Sequence, residues 1–151
     1  MCIDLVLADP YPVMLDGLSH AFHDAPEFSV KSCVSHGDAA LHAVKHHRPH
    51  ILVMDLSLTQ RSGLALLEEM RAADVKTLPV VFTGAPIGEV MQAIDLGVQG
   101  LVSKEKSKQI LSRCIRSVHE GGQWLDRDLT VKTMSLLLEQ KKKNTQASHL
   151  L

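Results

Sequence analysis

Ile51-Leu52-Val53-Met54-Asp55 is the stretch on which the fold turns. A carboxylate at the end of that apolar run has left the core and reached the rim of a sheet, where a parallel α/β fold keeps its chemistry. Three other runs end in the same way: Ile3-Asp4-Leu5-Val6-Leu7-Ala8 at Asp9, Pro79-Val80-Val81-Phe82 at Thr83, and Leu101-Val102-Ser103 at Lys104. Two carboxylates, a hydroxyl and an ammonium at four strand ends can converge in one crevice. That set suits a charged, transferable group better than an apolar ligand.

Around these runs, short β-branched segments alternate with helical patterns, the signature of repeated βαβ units. Strands are expected at about residues 3–8, 28–34, 51–54, 79–82 and 99–103. Pro12 suits the first turn of a helix running to about residue 24. Ser35 or Asp38 is a candidate cap for the second helix, which must end before Pro49. Leu64, Leu67 and Met70 or Arg71 mark one side of the third. Ile87, Val90, Met91 and Ile94 fall at i, i+3, i+4 and i+7 in the fourth, which Gly97 closes. Ile110, Cys114, Ile115 and Val118 make the fifth helical face. Five βα units with right-handed crossovers predict an α/β fold: a doubly wound, five-stranded parallel sheet of flavodoxin-like order 2-1-3-4-5, helices on both sides, and a C-terminal extra helix.

The tail differs in character. Gly121-Gly122 breaks the fifth helix, Trp124-Leu125 reads as an anchor, and Asp126 can cap a sixth helix carrying Leu129, Met134, Leu137 and Leu138. That helix is expected to dissolve into the polar run Lys141-Lys142-Lys143-Asn144-Thr145-Gln146, read as linker. Ser148-His149-Leu150-Leu151 then has nothing to pack on. The expected organisation is a core domain over residues 1–122, a helical extension over 123–143, and a linker stub over 144–151 at the doorstep of an absent domain.

At 151 residues, 45% of them apolar and 22% charged, the chain is long enough for one domain with a real core. A formal net charge of −1 offers no basic surplus for binding nucleic acid through this segment alone. No apolar run approaches the length of a membrane span. Three widely spaced cysteines argue against a disulfide framework, and the expected compartment is the cytoplasm.

Ala8-Asp9-Pro10-Tyr11-Pro12-Val13-Met14-Leu15-Asp16-Gly17-Leu18, Met54-Asp55-Leu56 with Gly63 after it, Val81-Phe82-Thr83-Gly84, and Gly97-Val98-Gln99-Gly100-Leu101-Val102-Ser103-Lys104 occur in that order. Together they resemble the receiver domains of two-component response regulators, in particular the NarL/FixJ type with a LuxR-like helix-turn-helix output domain. The resemblance spans all five units. It implies that Asp55 accepts a phosphoryl group from a histidine kinase, that Thr83 hydrogen-bonds a phosphoryl oxygen, and that Lys104 pairs with another. It further implies Mg²⁺ held by Asp9, Asp55 and the backbone carbonyl of Ser57. Homodimerisation, and DNA binding through an output domain outside this chain, are implied as well. The only chemistry of such a module is its own phosphorylation and dephosphorylation. Positioning and charge neutralisation dominate phosphoryl transfer, so an ammonium and a hard cation beside the acceptor suit the step.

Three positions depart from the family pattern. Adjacent acidic residues are usual after the first strand, and here the second is Pro10, which offers no side-chain oxygen; metal binding is therefore expected to be weak. Leu101 stands where a Tyr or Phe is common, and Thr59 where a proline is common after the acceptor. Pro10 and Leu101 keep open an alternative, a phosphorylation-independent receiver serving as a dimerisation or docking module.

Blander readings exist for each residue. Asp9 alone could cap the first helix, Thr83 alone could be a strand-end hydroxyl, and Lys104 alone a solvated lysine. The pair His42 and His46, with His47 and His50 near, has zinc-like spacing but lacks a third ligand in a recognisable motif, so a solvated face is favoured. A phosphatase of the haloacid dehalogenase type would need a carboxylate two residues past the nucleophile, where this chain has Ser57. A flavin mononucleotide site would need donors after the first strand, and Asp9-Pro10-Tyr11-Pro12 offers a negative charge and two residues without an amide hydrogen.

Overall fold

The elements follow in the order β1 (Ile3–Ala8), α1 (Pro12–His23), β2 (Phe28–Val34), α2 (Gly37–His47), β3 (Ile51–Met54), α3 (Gly63–Ala72), β4 (Leu78–Thr83), α4 (Ile87–Asp95), β5 (Gly100–Ser103), α5 (Lys108–His119), β6 (Trp124–Leu125) and α6 (Arg127–Leu150). The computed structural model describes residues 2–150, with side chains described through residue 145. The strands form a parallel sheet of order β2-β1-β3-β4-β5-β6. The doubly wound order is the expected one, extended by a sixth strand. Trp124-Leu125 had read as an anchor because two residues are too short to display an alternation. Trp124 N–H donates to the Gln99 carbonyl and Asp126 N–H to the Leu101 carbonyl, both at 2.8 Å, and this lays the segment along β5.

Alternation along the central strands divides the core in two. Val6, Ala8, Leu52, Met54, Val81 and Leu101 face α2, α3 and α4, whose Val44, Leu66, Met70 and Val90 are buried against them. Leu5, Leu7, Ile51, Val53, Val80, Phe82 and Val102 face α1 and α5, meeting Leu18, Phe22, Leu111, Ile115 and Val118. Strands buried on both sides explain the continuous apolar runs of the sequence. Trp124 is half-buried against the α1–α5 side. Cys114 is buried, its thiol pushed up to about 12 by burial, while Cys2 and Cys33 are exposed and all three are free.

Several local expectations need correction. The cap of α2 is His36, whose Nδ1 accepts the Ala39 N–H at 3.2 Å, rather than Ser35 or Asp38; Asp38 is drawn instead to Arg61, 2.9 Å away. In α3 the buried side is Leu66, Leu67 and Met70, with Arg71 exposed. Asp126 does cap α6, accepting the Asp128 N–H at 2.9 Å. That helix then continues through residues 141–146, where unwinding was expected. No Gly or Pro interrupts residues 127–150, and Lys and Gln are good helix formers, so nothing in the polar run stops it. Of the terminal segment read as a stub, residues 146–150 are described only as helical backbone, and Leu151 lies outside the described residues. Leu129 and the buried Thr133 turn towards the body, while Val131, Met134, Leu137 and Leu138 are exposed. No described helix is long and apolar enough to cross a membrane.

Candidate functional site at the carboxyl edge of the sheet

Parallel strands all end on the same edge, so the residues that follow β1, β3 and β5, and the last residue of β4, share one rim. Asp9, Asp55 and Thr83 are each 2% exposed there, and the Lys104 side chain is 15% exposed. The four expected side chains meet. Thr83 Oγ1 donates to Asp55 Oδ1 at 2.7 Å. Its lone pair accepts the Ala85 N–H at 3.0 Å, which turns the hydroxyl proton towards the carboxylate. Lys104 Nζ touches Asp55 Oδ2 and lies 2.6 Å from Asp9 Oδ2, so one ammonium bridges two buried carboxylates.

The backbone completes the arrangement. Ser57 N–H donates to Asp55 Oδ1 at 3.1 Å. Asp9 Oδ1 accepts the Tyr11 N–H at 2.8 Å, so Asp9 braces the β1–α1 loop. It does not cap α1, whose N-cap is Tyr11 with Pro12 in the first turn. Gly63 brings α3 against the acceptor strand: a Cβ there would lie 2.5 Å from Leu56 Cα and 2.8 Å from the Asp55 carbonyl oxygen. Only glycine permits that approach. Among the described residues, no buried side-chain nitrogen or oxygen lacks a partner.

Electrostatics follow from this packing. Burial works to lower the Lys104 pKa, but its contacts with Asp55 and Asp9 outweigh burial and hold it above the ordinary lysine value. The ammonium also sits 5.4 Å from the centroid of the exposed Tyr11 ring, which shields one side of it. Sequence reasoning missed that Tyr11 contact; its signal was an aromatic two residues past Asp9. It also missed the Ser57 amide as a donor to Asp55.

Receiver domains generally bind Mg²⁺ in their acidic pocket. The donors here are hard oxygens from Asp9 and Asp55, already spaced to share one cation, which fits a metal that takes few ligands from protein. Among the described residues, no three His, Cys, Asp or Glu side chains converge as a metal cage. His42 and His46 stack 6.1 Å apart on the exposed face of α2, whereas His50 is engaged elsewhere, accepting the Asp4 N–H and packing edge-on to His119.

The family model of the response regulator receiver domain matches residues 5–116, most of the chain. The chain belongs to the response regulator receiver domain family. Receiver domains are signalling modules, and no catalytic enzyme family is indicated. Response regulators of this kind partner with histidine kinases, and often dimerise and bind DNA. Among curated relatives, the transcriptional regulatory protein DesR of Bacillus subtilis is 27% identical over 119 residues, 79% of this chain and 59% of that protein. A LuxR-family two-component response regulator from Aurantimonas sp. superposes with a TM-score of 0.82 at 20% identity, covering 91% of this chain and 99% of that one. The receiver domain of RcsB from Salmonella enterica, solved with a phosphomimetic, gives 0.77 at 17% identity over 86% and 97% of the two chains. These two likenesses concern the fold. The chain spans about three-fifths to two-thirds of the length of the curated relatives it matches.

Proposed function

We propose that Asp55 is a phosphoacceptor, that a histidine kinase is its donor, and that residues 1–122 are the regulatory part of a cytoplasmic transcription regulator. On this reading α6 is a helical extension that leads to a LuxR-type DNA-binding domain outside this chain. The observation that carries the proposal is the Asp55 carboxylate, buried yet held by the Thr83 hydroxyl, the Ser57 amide and the Lys104 ammonium. A carboxylate aimed this way is a positioned nucleophile whose neighbours are all donors.

In the transfer, an Asp55 oxygen attacks the phosphorus of phosphohistidine as the P–N bond breaks. The imidazole leaves with the bonding pair and takes up a proton, and Asp55 becomes an acyl phosphate. Lys104 and Thr83 then face phosphoryl oxygens where they now face carboxylate, so the charge that develops meets donors already in place. Mg²⁺, when bound by Asp9, Asp55 and the Ser57 backbone carbonyl, would neutralise charge on the phosphoryl oxygens. Pro10 contributes no oxygen to that set, and Lys104 competes for the same two carboxylates, so the metal binds weakly.

Incubation with a small phosphodonor, with and without Mg²⁺, followed by intact mass measurement, tests the proposal. Wild type should gain one phosphoryl group, more slowly without metal, and Asp55→Asn should gain none. No gain in wild type under either condition would assign the fold to phosphate-independent docking instead.

A further inference from the structure

Asp126 lies 5% exposed between the end of β5 and the start of α6, and it serves both. Its Oδ2 accepts the Ser103 N–H at 3.0 Å, one residue before Lys104. Its Oδ1 accepts the Asp128 N–H at 2.9 Å, and its carbonyl accepts the Thr130 N–H and hydroxyl, both at 2.9 Å. On the other side, Lys104 N–H donates to the Thr83 carbonyl at 3.0 Å, and Thr83 carries the hydroxyl bonded to Asp55. A second tie parallels the first, since Lys106 Nζ lies 2.5 Å from Asp128 Oδ2.

We propose that Asp126 is a positioning residue of the Asp55 site and the joint through which α6 senses that site. Its carboxylate spans the segment that aims Lys104 and the first turn of α6, so neither can shift without lengthening a bond to the same buried group. An N-cap needs only one acceptor, and serine supplies it equally well. A carboxylate with its second oxygen committed to Ser103 does more than cap. Loosening Lys104 should therefore loosen the α6 entry, whose hold on the body beyond it rests on Leu129, Thr133 and little else apolar. As a route by which phosphorylation would act on α6, the proposal rests on Asp55 being the acceptor.

The test needs no phosphodonor, so its failure is separable from failure of that reading. Asp55→Asn removes one of the two charges that Lys104 faces while keeping the shape, and it leaves the ammonium tied to Asp9 alone. Amide hydrogen exchange is measured for residues 128–133, with residues 40–44 of α2 as a control for global opening. In the wild-type background Asp55→Asn should speed exchange of residues 128–133 by about five-fold, the size of coupling expected within one hydrogen-bonded network. In an Asp126→Ser background, which keeps the cap but cannot reach Ser103, it should add nothing. In Asp126→Asn, whose single carbonyl oxygen can still accept from Ser103, the response should return in part. Unchanged α6 exchange on Asp55→Asn alone, or an equal response in the Asp126→Ser background, would overturn the proposal.

Discussion

Lys104 and Lys106 are two residues apart on one loop, and each pairs with aspartate, yet they do different work. The Lys104 side chain is 15% exposed and meets two carboxylates that are each 3% exposed, whereas Lys106 and Asp128 are 36% and 66% exposed. Water can replace either partner of the outer pair and salt screens it. Neither is true of the inner cluster, where removing the cation strands two anions away from solvent. Identical chemistry is thus an exchangeable surface contact in one place and a poised, charge-matched site in the other. Burial makes the difference.

The largest effect should come from breaking the inner cluster. Lys104→Met should destabilise the fold by about 3 kcal/mol, the cost of leaving buried charge without its counter-ion. Urea unfolding near neutral pH measures it, and a loss too small to resolve would mean that water enters the site. Adding Asp9→Asn to Lys104→Met should recover part of that loss, because one of the two stranded charges disappears.

Alkaline pH should erode the same term gradually. The folded Lys104 pKa lies above its ordinary value, so its stabilisation is complete below the unfolded pKa of about 10.4 and fades as pH rises through the folded value. The stability gap between wild type and Lys104→Met should therefore stay constant from neutral pH to about pH 10 and narrow above it. A gap that stays flat above about pH 10 would mean that the Lys104 ammonium gains no partner on folding. Smallest of all, Lys106→Met should leave the unfolding midpoint nearly unchanged, and any small loss should vanish at high salt.

The rim of the sheet was legible in the sequence because strands buried on both faces must be apolar throughout, so polar residues at their ends stand out. Asp9, Asp55, Thr83 and Lys104 were found that way, and they do meet. What stayed hidden has physical reasons. Two residues of β6 cannot show a period. Helix α6 runs on past Leu138 through the polar stretch because lysine and glutamine propagate a helix without marking a face. His36 caps α2 through an imidazole nitrogen, a role that serine and aspartate fill far more often. The double duty of Asp126 depends on β5 and α6 meeting, which no local pattern near residue 126 announces.

On the proposed function, the Asp55 pocket is a receiver site short of one carboxylate, with Lys104 as its resident cation. Titrating Mg²⁺ into wild type and Pro10→Asp, while following the amide signals of Ser57 and Thr83, tests it most directly. A second carboxylate would add an oxygen ligand and a charge, and it would repel Asp9 and Asp55 when metal is absent. Pro10→Asp should therefore bind Mg²⁺ about ten-fold or more tightly than wild type, while being no more stable without metal. Equal affinity in the two proteins would contradict that reading, because other oxygens would then already fill the place that Pro10 leaves empty.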